Sequence, residues 1–161
     1  MLKRIIAFAG LAAILATAPV FASVTANSVI TAQTPTNGKQ NFVQGTDSPG
    51  TFKTVYTAGT NGSRCNGLTV ANNDPSATHV VTIEVANGAN SYPLGTFVTA
   101  EPTAGQYSTV GALGSVIFGL PVDVNGNPYI QLVSGDTLKV TYASALTSTD
   151  QIIVYASCSD F

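Results

Sequence analysis

The sequence predicts an all-β protein: a single antiparallel β-sandwich, jelly-roll-like, with eight or nine strands and at most one short helix. Two observations predict it. Beyond the N-terminal stretch, short runs rich in Val, Ile, Thr and Tyr alternate with clusters of Gly, Pro, Asn and Asp at the spacing of sandwich strands. No segment carries a strong, long helical period.

Taken in order, residues 24–33 read as a first extended segment, and Pro35-Thr36-Asn37-Gly38 as a turn. Residues 40–44 fit a short edge strand, Asp47-Ser48-Pro49-Gly50 a turn, and residues 51–57 a strand. Asn61-Gly62 is a hairpin-grade turn, because both residues tolerate positive φ. Residues 65–71 follow, then a turn at Asn72-Asn73-Asp74-Pro75. The run THVVTIEVA, residues 78–86, is the clearest strand: Val81, Ile83 and Val85 face one way, Thr82 and Glu84 the other, toward solvent. Asn87-Gly88 turns it into a hairpin partner at 91–99. Residues 101–109 look like loop, and 110–120 could hold the one short helix despite three glycines. Asn125-Gly126 leads into a strand at 129–133, Ser134-Gly135-Asp136 into one at 137–143, and residues 151–158 form the last.

The first 22 residues read as a removable export signal. Lys3 and Arg4 begin it, an apolar stretch follows, and Val20-Phe21-Ala22 fits a cleavage site before Ser23. The apolar stretch is broken by Pro19 and falls short of the roughly 20 residues a spanning helix needs. The expected organisation is therefore 1–22 signal peptide, 23–50 extended N-terminal arm or edge strand, and 51–161 sandwich. The expected localisation is periplasmic, extracellular or cell-surface.

Without the leader, four basic residues (Lys39, Lys53, Arg64, Lys139) face eight acidic ones. That balance excludes a basic nucleic-acid footprint and electrostatic binding to anionic lipid. The two cysteines, Cys65 and Cys158, sit near the two ends of the folded region. In an oxidising compartment a disulfide is their default, closing a loop worth on the order of 4 kcal/mol.

Few residues could carry chemistry. His79 is the single histidine, lies at the start of a strand, and has no nucleophile-elbow motif beside it, so it reads as a half-exposed strand residue and no hydrolase activity should depend on it. Asp123-Val124-Asn125-Gly126-Asn127 places oxygen ligands at alternate positions, but glycine is fourth rather than sixth and the twelfth position is Ser134, so a plain turn is favoured over a calcium loop. The carboxylates show no spacing that pairs two for glycoside hydrolysis, and the chain has no tryptophan for a sugar platform. Asn61-Gly62-Ser63 is formally a glycosylation sequon but is better explained as a turn. Lys53, Lys139 and Glu84 are candidates for an isopeptide crosslink by strand position only. No cofactor or metal is expected.

The order of the punctuation is more specific than its parts. YTAGTNGSR at 56–64 is followed by NNDPSATHVVTIEV, YPLGT, LPVDVNGNPYIQLVSGDTLKV and SDF. This resembles a family of small tailed-phage and prophage virion structural proteins, of the capsid-decoration kind, over residues 50–161. The resemblance implies a non-enzymatic assembly module with protein partners or self-association, and it carries over no catalytic residues. The chain departs from the family pattern in its export signal and in its cysteines at 65 and 158.

Within that frame Asn61-Gly62 sets a turn, Cys65 ties the next strand to the last, and Asn125, Gly126 and Gly135 are structural turn residues. Arg64 is left as the one possible interaction residue, its ordinary alternative being a salt bridge to Asp74 or Asp160. Three classes of function follow: an exported module that decorates or builds a surface or particle, a fibre subunit that donates its N-terminal strand to a neighbour, or a secreted carbohydrate-binding protein or hydrolase. The N-terminal segment is polar and poor in apolar residues, so removing residues 23–48 is expected to leave a folded, monomeric domain.

Overall fold

A computed structural model of the chain describes residues 34–161 except 112, 114–116, 118, 148 and 149. The chain divides into two units, Met1–Ile30 and Thr31–Phe161. The leader and the extended segment expected at 24–33 lie outside the described residues.

The described residues form nine strands: β1 Thr34–Val43, β2 Lys53–Thr57, β3 Ser63–Asn72, β4 His79–Asn87, β5 Asn90–Thr99, β6 Ser108–Gly111, β7 Ile130–Leu132, β8 Asp136–Tyr142 and β9 Gln151–Asp160. Every pairing between them is antiparallel. One sheet runs β1-β9-β3-β6, with β7 also on β3, and the other runs β2-β8-β4-β5. With β7 set aside, four of the pairs are nested: β1 with β9, β2 with β8, β3 with β6, and β4 with β5. That is one long antiparallel hairpin of four strands against four, rolled until it forms two facing sheets. The protein is a jelly roll.

Alternation in the sequence becomes the core. Along β4, Val81, Ile83 and Val85 are buried between the sheets, and on β9 Ile152, Val154, Ala156 and Cys158 do the same. Phe42 of β1 packs on Tyr142 of β8 across the gap, their ring centroids 5.0 Å apart. Cys65 and Cys158, directly paired across β3 and β9, are joined by a disulfide in this interior.

Three expectations need correction. Pro35-Thr36-Asn37-Gly38 is not a turn but part of β1, paired with residues 156–159 of β9. Gly38 is there for proximity: a Cβ on it would lie 2.2 Å from the Val55 carbonyl oxygen, so only glycine lets β1 pass this close to β2. Glu84 does not face solvent. It is buried, accepts a hydrogen bond from Ser91 Oγ at 3.0 Å and stands opposite Lys139 in register. The stretch assigned to a loop and a helix holds β6 instead, and Leu113 and Ile117 form an isolated bridge beyond it. No helix occurs among the described residues.

The edge position of β1 also bears on removing the N-terminal segment. β1 is in register with β9 over ten residue pairs and contributes the fully buried Phe42. Cutting to residue 48 would open the core, so the expectation of a folded remainder gives way to loss of the fold.

Candidate interaction site around the loop before β3

The stretch between β2 and β3 is shaped by what it must hold. Gly62 has φ +92°, and a Cβ there would lie 2.7 Å from the Leu132 carbonyl oxygen, so glycine is required on both counts. Its N–H bonds the Gly59 carbonyl at 2.9 Å, closing the turn. The loop then grips the end of β9. Phe161 N–H donates to the Gly62 carbonyl at 3.2 Å, and Asn61 Nδ2 donates to the Phe161 carbonyl at 3.3 Å.

Asp160 is the centre of this grip. Ser63 Oγ donates to its Oδ1 at 2.5 Å, and the Tyr56 hydroxyl donates to the same oxygen. Ser63 Oγ in turn accepts the Gly59 N–H at 2.9 Å, and Thr36 Oγ1 lies 2.6 Å from the Tyr56 hydroxyl. The hydrogen bonds from Ser63 and Tyr56 hold the Asp160 carboxyl below its ordinary range, outweighing its partial burial. Four elements meet here, and every polar group named has a partner. Ser63 is buried in this network, which removes the third residue of the formal glycosylation sequon from reach.

Arg64 points to the other face of β3, as alternation requires. Its partners are not Asp74 or Asp160. Pairing of β7 with the start of β3 brings the preceding loop over Arg64, whose Nη2 meets Asp123 Oδ2 at 3.1 Å and whose Nε donates to Asn66 Oδ1 at 2.7 Å. The guanidinium stacks 3.9 Å above the Tyr129 ring. Arg64 is thus a clamp between two loops, with about a quarter of its side chain exposed.

Asp123 also organises its own loop. Its Oδ1 accepts the N–H groups of Asn125 and Asn127 at 2.9 Å each, and Gly126 takes φ +81°. The Asn127 N–H foremost, against a small cost of burial, holds the Asp123 carboxyl below its usual value. With these donors on its oxygens, the loop is an Asx-type turn. At the next turn, Asp136 plays the same part: its Oδ2 accepts from Val133 N–H and its Oδ1 from Asn87 Nδ2, both at 2.8 Å, with Gly135 at φ +87° between them. Among the described residues no three His, Cys, Asp or Glu side chains gather as a metal site.

His79 is the largest surprise. It is fully buried rather than half-exposed, its Nε2 2.9 Å from Asp74 Oδ2 and its Nδ1 3.0 Å from Ser144 Oγ. Burial raises the Asp74 carboxyl, but hydrogen bonds from Thr147, His79 and the Ser76 and Thr147 backbone outweigh it and bring its pKa to about 2. No local motif signalled this cluster; β8 and β4 bring together residues 65 positions apart.

Apolar side chains also reach the surface. Val80 and Val98 are cross-strand partners of β4 and β5, and both are exposed, Val98 at 63%. Tyr92 is exposed farther along β5, a strand with no charged residue.

No family model matches the chain, and no curated protein matches it. Among solved structures it is similar to the cyanophage Pam1 capsid asymmetric unit, at 15% identity over 79% of this chain and 84% of that one, with a TM-score of 0.46. It is also similar to a pentameric capsid protein from metagenomic phage sequences, at 17% identity over 76% of this chain and 60% of that one, TM-score 0.36. A third similar structure is that of infectious bursal disease virus Gx strain, at 14% identity over 78% of this chain and 30% of that one, TM-score 0.34. The assignment as a jelly roll rests on the strand order.

Proposed function

We propose that this chain is an exported structural module that builds or decorates a larger assembly on a cell surface or particle. The observation that carries the reading is the outer face at β4 and β5, where Val80 and Val98 form an exposed apolar pair beside an uncharged strand. Natural sheet edges usually carry charges against unwanted pairing, and adjoining exposed apolar side chains mark contact surfaces. The tailed-phage decoration-like resemblance supports the same class. Its YTAGTNGSR and SDF segments meet in one clamp around Asp160, so the shared residues are explained by architecture rather than by chemistry.

The partner expected first is another copy of the chain. Light scattering and electron microscopy of protein lacking residues 1–22 should find an oligomer or a decorated particle, and Val98→Glu should shift it to monomer without changing its melting temperature. A wild-type protein that is monomeric at all concentrations and binds no particle would defeat the proposal. A filament in place of a closed oligomer would favour the fibre reading.

A further inference from the structure

We infer that Ser144 is a nucleophile whose hydroxyl is activated by His79, and that it accepts acyl groups from activated esters. Ser144 lies on the surface just after β8, while His79 and Asp74 behind it have no solvent-exposed surface. The three groups stand in line: Ser144 Oγ to His79 Nδ1 at 3.0 Å, and His79 Nε2 to Asp74 Oδ2 at 2.9 Å. This is the order of nucleophile, base and orienting acid that activates a serine in hydrolases.

The direction of the hydrogen bonds follows from Asp74. Its Oδ1 accepts from Ser76 N–H at 2.9 Å and Thr147 Oγ1 at 2.6 Å, and its Oδ2 from Thr147 N–H at 3.0 Å as well as from His79. A carboxylate with four donors is an acceptor only. In the neutral ring the proton therefore sits on Nε2, which leaves the Nδ1 lone pair facing the Ser144 hydroxyl. Asp74 is a positioning residue: it fixes the ring and its tautomer from a dry site, while Ser144 is an exposed residue. The backbone assists, since His79 N–H and carbonyl both bond Thr99 Oγ1, at 3.3 and 3.1 Å.

With an aryl ester the step balances without a further reactant. Ser144 Oγ bonds to the carbonyl carbon, its proton passes to His79 Nδ1, and the bond to the aryl oxygen breaks, the phenolate leaving with the electron pair. His79 then returns its proton to water. Activated esters are the class proposed because a phenolate departs unaided. This goes beyond the assembly role and does not depend on it.

The test is p-nitrophenyl acetate on the purified protein, read as nitrophenolate release and as an acetyl adduct located by peptide mass spectrometry. The expected result is acetylation of Ser144, slowed about a hundredfold in His79→Gln, the size of a typical general-base contribution. Gln retains a hydrogen-bonding group against Asp74 while removing the base. Should that variant fail to melt cooperatively, Ser144→Cys with His79 intact decides. Its iodoacetamide alkylation at neutral pH is expected to be at least about tenfold faster than that of an ordinary peptide thiol, because a paired imidazole favours thiolate. No adduct on Ser144, or one formed at the same rate without His79, overturns the proposal, as does an ordinary alkylation rate for the Ser144→Cys variant.

Discussion

Gly59 lies so close to Asp160 that a Cβ at residue 59 would stand 2.7 Å from the carboxylate carbon. The carboxylate cannot swing aside freely, because Ser63 and Tyr56 hold it. Gly59→Ala is therefore expected to destabilise the fold by about 1–3 kcal/mol, the usual cost of forcing an extra carbon into a packed site. Asp160→Ala should relieve most of that clash. In chemical denaturation the double variant should be less destabilised than the two singles added together; strict additivity would mean that the loop does not press on Asp160.

Acid should loosen the loop between β3 and β4 late. A carboxylate whose pKa is depressed by folding stabilises fully above its unfolded value and loses that contribution as pH falls through the folded one. For Asp74 the window runs from 3.8 down to about 2, and the contribution is on the order of 2 kcal/mol. Thermal melts across this range should fall steeply in the wild type. In Asp74→Asn the slope should flatten, from a lower starting stability.

Removing the disulfide should cost much of the fold's margin. Cys65 and Cys158 are 93 residues apart, and closing such a loop stabilises by roughly 4 to 5 kcal/mol when chain entropy dominates. The Cys65→Ser, Cys158→Ser protein should melt well below the oxidised parent. Mass spectrometry of protein expressed with residues 1–22 present and directed to an oxidising compartment should find no free thiol, and two free thiols there would contradict the export reading.

Gly38→Ala is expected to be worse than Gly59→Ala, because the atom it would strike is the Val55 backbone oxygen rather than a side chain. A loss of about 3 kcal/mol or more, or failure to accumulate as soluble protein, is the expected outcome. Truncation to residue 48 should do the same by removing Phe42 and baring the flank of β9. A cooperative melt from the truncated protein would show that β1 is dispensable, and an unchanged stability of Gly38→Ala that β1 can move away from Val55.

Most strands were legible because a half-buried strand writes its two faces into alternate residues, as Val81, Ile83 and Val85 do. Several turns were legible because residues such as Gly62, Gly126 and Gly135 occupy positive φ. What was hidden depends on distant register. Gly38 follows Asn37 like a turn residue, and only the passage of β2 beneath it shows that its missing side chain makes room for Val55. The partners of Arg64 come from a loop placed by the three residues of β7, too short a run to show which strand it joins. Ser144 sits in an ordinary polar stretch, and its neighbours His79 and Asp74 are assembled by the sheet.

The nested strand order also dictates when this chain can fold. β9 lies between β1 and β3, and β8 between β2 and β4, so the middle of each sheet is filled by residues synthesised late. Residue 34 finds its partner only at residue 160. Until β8 and β9 have been made, neither sheet can zip past its missing centre, and closing such distant pairs is intrinsically slow. β1 and β2 thus wait as unpaired strands until β8 and β9 have been made, and a holding chaperone would have to cover them for that interval.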